Sequence, residues 1–227
     1  MKLLTTLITV LALILATLSA NALSQSASDE AVWRFQVFID DRDVGTHNFM
    51  VTTMENARKV TSEADFNVKV LFVNVFSYKH RNQETWQANC LANIESATRM
   101  NREKYAVSGQ LENNTFVLAD QADADLPDCV QTFAYWNPTI LQASQLLNAQ
   151  TGILEEVDIQ PVGSETFAVN GVDLSASKYR INLETGYIDV WYDEQTDTWL
   201  GLETLTAEGN LVRYVPIQTP LQQGSTT

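Results

Sequence analysis

The chain has 227 residues and a formal net charge of -14 at pH 7, with 14 Lys and Arg set against 28 Asp and Glu. That balance argues against a nucleic-acid partner, since phosphate binding needs a basic stripe that releases counterions, and against adhesion to an anionic membrane surface. Only two Cys and two His are present, with no H-E-x-x-H, paired C-x-x-C, G-x-S-x-G or phosphate-cradling glycine loop, so neither a metal nor a cofactor is expected.

Lys2 precedes an apolar run over residues 3–18, broken by Thr5, Thr6, Thr9 and Thr17 and followed by Ser19-Ala20-Asn21-Ala22. A positive end, an apolar middle and a small-x-small exit predict a cleavable signal peptide over residues 1–22. A membrane anchor would want about 20 apolar residues and a basic stop-transfer cluster. This run is shorter and leads into Ser24-Gln25-Ser26, with no cysteine near the cut to carry a lipid. The expected product is a soluble, not membrane-spanning protein, periplasmic or secreted, with one β-rich domain over residues 23–218.

Alternation of period two begins at once: Trp33, Phe35, Val37 and Ile39 share one face of a strand. Asp40 to Asp43 turns, and residues 44–54 return, with Gly45 marking an expected bulge. The next strand places Val60, Ser62, Ala64, Phe66, Val68, Val70 and Phe72 on one face and Thr61, Glu63, Asp65, Asn67 and Lys69 on the other. Residues 75–89 read as another long strand, with a bend expected around Asn82; 94–100, 104–109 and 115–118 read as shorter ones. Asn137 as N-cap, Pro138 at the first turn, and Ile140, Ala143, Leu146 and Leu147 at helical spacing predict one amphipathic helix of about four turns, stopped by Thr151-Gly152. Strands resume over 153–160, 164–169, 174–183, 187–192, 199–207 and 211–216, joined by turns such as Asn170-Gly171, and residues 219–227 read as a disordered tail.

So many antiparallel strands cannot stay flat. The fold class expected is mainly β: a large curved antiparallel sheet, half-barrel or barrel, with the helix as a lid over its open side.

Cys90 and Cys129 form an even pair in an exported chain and read as one structural disulfide, with two buried free thiols as the geometric alternative. His80, Glu84, Trp86 and Cys90 fall at even spacing, so an unbroken strand shows them on one face. There His80 and Glu84 are either a candidate acid/base pair or a cross-strand polar pair beside a core tryptophan. Asp120, Asp123, Asp125 and Asp128 lack the glycine and spacing of a calcium loop and read as a solvated acidic loop. Trp33, Phe35, Phe66, Phe72, Trp86, Trp136 and Trp191 are the candidate lining of an apolar pocket, or simply core.

Several stretches together resemble an uncharacterised family of exported Gram-negative proteins, domain-of-unknown-function family 6134. They are Trp33-Arg34-Phe35 to Asp41 with Val44-Gly45-Thr46-His47; the H-x-x-x-E-x-W-x-x-x-C run from His80 to Cys90; Cys129 with Phe133-Ala134-Tyr135-Trp136-Asn137-Pro138; and Leu146-Leu147-Asn148 with Gln150-Thr151-Gly152. The resemblance covers nearly all of the chain after the leader and brings no activity with it. By architecture alone, a curved sheet with a helical lid also looks like the periplasmic lipoprotein carriers. The function expected is non-catalytic binding of a lipid or other apolar envelope ligand. The alternatives are an envelope enzyme using His80 and Glu84, and a structural or assembly partner for a protein not identified by sequence.

Overall fold

The computed structural model describes residues 29–70, 73–121 and 124–225, so the predicted leader lies outside the described residues. The alternation seen in the sequence becomes strands β1 (Asp29–Ile39), β2 (Arg42–Thr53), β3 (Arg58–Val70), β4 (Val73–Gln87), β5 (Cys90–Met100), β6 (Glu103–Glu112) and β7 (Thr115–Leu118). After a long connection holding the short hairpin β8 (Gln145–Leu147) and β9 (Leu154–Glu156), the chain forms β10 (Asp158–Val169), β11 (Val172–Leu183), β12 (Gly186–Asp193), β13 (Trp199–Leu205) and β14 (Leu211–Gln218). Each run of strands is a meander, and antiparallel pairing of β14 with β1 welds the two into one 12-stranded sheet running from β10 at one edge to β7 at the other.

The sheet is open, because β7 and β10 do not pair. It is nevertheless curled. Laid flat, the ten strand spacings between β11 and β7 would span about 48 Å, yet Ile181 of β11 and Phe116 of β7 belong to the same core cluster. They meet through the connection between β7 and β10, whose Val130, Trp136, Ile140, Leu146 and Leu147 are buried against the concave face. The architecture is therefore a half-barrel filled on its open side by its own chain.

That covering segment corrects the predicted helix. Asn137 does act as a cap, accepting from Thr139 N at 3.4 Å, and Pro138 follows, but the result is a 3-10 turn over Pro138–Gln142 that ends at an extended Ala143. Adjacent Leu146 and Leu147 are both fully buried, which one stripe of a surface helix does not provide. Their backbone joins ladders instead: Leu147 N donates to Gln131 O at 2.7 Å, and β8 pairs with β9. Asn148 then closes the hairpin, its Oδ1 accepting from Gln150 N and Thr151 N.

Other expectations meet the structure with smaller adjustments. The bulge falls where Gly45 marked it: Val37 pairs with Gly45 and Phe38 with Asp43, leaving Val44 as the extra residue. Gly45 sits at φ +140, and a Cβ there would stand 1.9 Å from Asp65 O, so only glycine fits. Strand β4 passes Asn82 in register, and its irregularity lies at Thr85 and Trp86. The tail expected to be unstructured from residue 219 folds back: Thr219 is fully buried and Pro220–Ser225 forms a 3-10 turn packing Leu221 beneath Trp191 and Leu200. Cys90 and Cys129 form the expected disulfide, with Cα atoms 4.9 Å apart, and it ties the start of the covering segment to β5.

Candidate functional site

Between the concave face and the covering segment lies a cavity of about 410 Å³, within the range of small-molecule pockets. Its floor comes from the inward positions of β2, β3 and β4, and its roof from residues 132–136 and 148–150. Strand pairing places His47, Ala64, His80 and Thr98 in one row across β2 to β5, and Phe49, Ser62, Asn82 and Ser96 in the next. Glu84 follows one step further along β4. The inward face is thus aromatic at its sides and polar in its middle.

Neighbours hold most of the polar groups on the floor. His47 Nε2 is hydrogen-bonded to Ser62 Oγ at 2.7 Å, and its Nδ1 to the Tyr214 hydroxyl at 3.1 Å. His80 Nδ1 bonds Thr98 Oγ1 at 2.7 Å. Glu84 accepts from Asn82 Nδ2 at 2.8 Å and from Trp86 Nε1 at 2.7 Å. Ser96 Oγ donates to the carbonyl of Ala149 in the roof. Tyr78 stacks on Phe66 with ring centroids 5.3 Å apart and donates to Gln150 Oε1 at 3.0 Å.

Burial sets the electrostatics. Desolvation, with the nearby His80 adding to it, lowers His47 to about 3, and desolvation lowers His80 to about 4. Burial raises Glu84, partly offset by its bonds from Asn82, Trp86 and Thr132. Desolvation also pushes Tyr78 up to about 12 and raises Tyr214 and Tyr135. Both imidazoles are therefore neutral at pH 7 and the floor disfavours buried charge, while across the cavity Glu155 accepts from Asn148 Nδ2 at 2.6 Å.

Of the residues named from sequence, His80 and Glu84 both line the cavity, but not as a pair. Four residues along one strand separate their Cα atoms by about 13 Å, and each is bonded elsewhere. Trp136 lines the cavity, and Arg58 sits 4.7 Å over its ring. Trp33, Phe35 and Trp86 are packed core, at most 5% exposed. Phe66 is half-buried against Tyr78. Trp191 belongs to a separate cluster with Val169, Ala176 and Leu200, and the side chain of Phe72 lies outside the described residues. Sequence reasoning missed His47, Ser62, Asn82, Tyr135 and Tyr214. A polar residue in the apolar phase of a strand, as Ser62 is between Val60 and Ala64, was the available signal.

A larger hollow of about 680 Å³ lies on the opposite face of β2 to β6. It is an open groove between solvated arms, where Lys79 pairs with Asp65 and Arg81 with Glu63, all four side chains at least half exposed. Such pairs contribute little, and the cavity beneath the covering segment, where buried polar side chains converge, is the candidate site.

No curated protein matches the chain. A solved structure similar to it is the beta-barrel-like protein of domain of unknown function DUF1849 from Brucella abortus, with 9% identity, TM-score 0.57, and 84% of this chain aligned to 95% of that one. MucB, and the MucA/MucB complex of Pseudomonas aeruginosa, align over 85% of this chain at 14% and 12% identity with TM-scores of 0.31; the aligned part spans about half of their length (53% and 52%). At that identity the likeness to the Brucella protein is one of fold alone. Residues 35–217 match the family described as Domain of unknown function (DUF6134), and the chain belongs to that family.

Proposed function

We propose that this DUF6134 protein is an exported, periplasmic or secreted carrier that holds a small lipid-like envelope molecule without turning it over. One observation carries the reading: the cavity between sheet and covering segment combines aromatic walls with a neutral polar floor. That is what an amphipathic molecule asks of a site, and more than an apolar one would need. The leader over residues 1–22 supplies the address. A general base working near neutral pH wants a pKa near 7, so histidines held at about 3 and 4 favour binding over catalysis. Native mass spectrometry of protein purified from the periplasm tests the proposal. An adduct that organic extraction removes is expected; an apo mass that stays unchanged after incubation with envelope lipid extract refutes it.

A second reading, docking of a protein partner, is favoured by the open edge. Strand β10 offers 12 residues with no strand paired along its outer side among the described residues, and Val162 at its middle is 54% exposed. Such an edge accepts an added strand, although Pro161 and the register shift before Gly163 blunt it. Photo-crosslinking from position 162 in cells distinguishes the two readings.

A further inference from the structure

The cavity floor contains one acceptor with nothing to accept. Asn82 is 6% exposed and lines the cavity. Its Nδ2 is committed to Glu84 Oε1, while its Oδ1 is buried and finds no donor among the described residues. The amide is fixed in this sense by Glu84, whose other oxygen is taken by the donor-only Trp86 Nε1. Neither cross-strand neighbour serves it: Ser62 Oγ is bonded to His47 Nε2, and Ser96 Oγ donates to Ala149 O. A buried acceptor left alone carries a desolvation cost that a bound donor removes.

Resting on the binding role proposed above, we propose that the polar end of the ligand is an uncharged hydrogen-bond donor, a hydroxyl or an amide N–H, seated on Asn82 Oδ1, with its apolar body along Phe49, Tyr135 and Trp136. The same floor excludes charged heads. On the floor an ammonium would meet the environment that keeps His47 and His80 unprotonated, with Glu155 across the cavity bonded to Asn148, and a carboxylate would meet both Glu84 and Glu155. The ligand class is thus a neutral hydroxylated or amide-bearing amphipath, as opposed to a free fatty acid or an alkylamine.

Four probes of equal chain length test this on the intact protein: 1-decanol, its methyl ether, decanoate and decylamine, titrated at pH 7 by calorimetry and by tryptophan fluorescence, with Trp136 in the wall as reporter. Decanol is expected to bind, and the ether, which lacks only the donor, to bind about tenfold to a hundredfold more weakly. Decanoate and decylamine are expected to be weaker than decanol by at least about tenfold. In Asn82→Ala the preference for alcohol over ether is expected to vanish; if that variant fails to fold, the ratio measured on the unaltered protein decides alone. Equal binding of alcohol and ether, or tighter binding of either charged probe, overturns the inference and leaves the carrier role standing. Failure of all four to bind overturns both.

Discussion

Acidification gives the most direct test of the neutral floor. His47 and His80 have folded pKa values of about 3 and about 4 against 6.5 in the unfolded chain. Between these limits the unfolded chain binds protons that the folded one refuses, so stability is fully present above pH 6.5 and is lost as pH falls. From pH 7 to pH 5 each histidine costs about 2 kcal/mol, or about 4 kcal/mol together. Both are half-buried by surface area, so solvent screening makes this an upper value. Glu84 acts in the opposite direction: with its folded pKa raised, it favours the fold at low pH and loses that contribution as pH rises. Urea unfolding of Glu84→Gln at pH 7, 6 and 5 therefore isolates the histidine share, and His47→Gln should remove about half of it. Because the chain has two histidines, proton NMR shows two imidazole titrations. Neither should have a midpoint above pH 5; two ordinary titrations near 6.5, with stability flat between pH 7 and 5, would refute the buried neutral site.

Three further outcomes follow from the fold. Joining Cys90 to Cys129 across 39 residues removes loop entropy worth about 4 kcal/mol, so the double serine variant should lose a stability of that order in urea, and a reduced protein with an unshifted midpoint would count against it. Gly45→Ala should cost about 2 to 3 kcal/mol, because the new Cβ meets Asp65 O, whereas Gly171→Ala, also at positive φ but with nothing within 4 Å, should cost about 1 kcal/mol; equal losses in thermal melts would contradict the close approach. Trp86→Phe keeps an aromatic ring near Trp136, though a smaller one, and leaves Glu84 Oε2 without its indole donor, an expected loss of about 1 to 3 kcal/mol from the donor alone, with an upward shift in the Glu84 titration visible by carbon NMR.

Strand-forming segments were legible because a half-buried sheet writes its face into every second residue, as from Val60 to Phe66. The covering segment was not, because burial there comes from all sides. Ile140, Leu146 and Leu147 imitate a helical stripe in sequence, while Ile140 sits in a 3-10 turn and the backbone of Leu146 and Leu147 pairs with β9 and Gln131. The aromatic residues left pocket and core undecided for a related reason. Periodicity says that Trp33, Phe35 and Trp86 point inward, but not that Trp199, Trp136 and Phe49 lie close enough to fill the space around them. Trp191 shows the same limit, since the β10–β11 hairpin brings Phe167 over the opposite face and gives it a second small core.

The polar floor is where local rules and the fold disagree. Ser62, Asn82, Glu84, Ser96 and Thr98 are buried at inward positions that leucine or valine would occupy at lower cost in a sheet built only for stability. They are not scattered: all lie on the central stretches of β3, β4 and β5, while the inward positions of β1, β7, β12 and β13 are aromatic or aliphatic. Every one but Asn82 has its side-chain bonds satisfied within the wall. A network built for rigidity alone would have closed on itself, and this one closes up to a single acceptor, on a residue that lines the cavity. Departures from core patterning that gather at one concavity and leave one group unmatched are the expected mark of a ligand site, and they make Asn82 on β4 the position at which the proposed recognition is tested most directly.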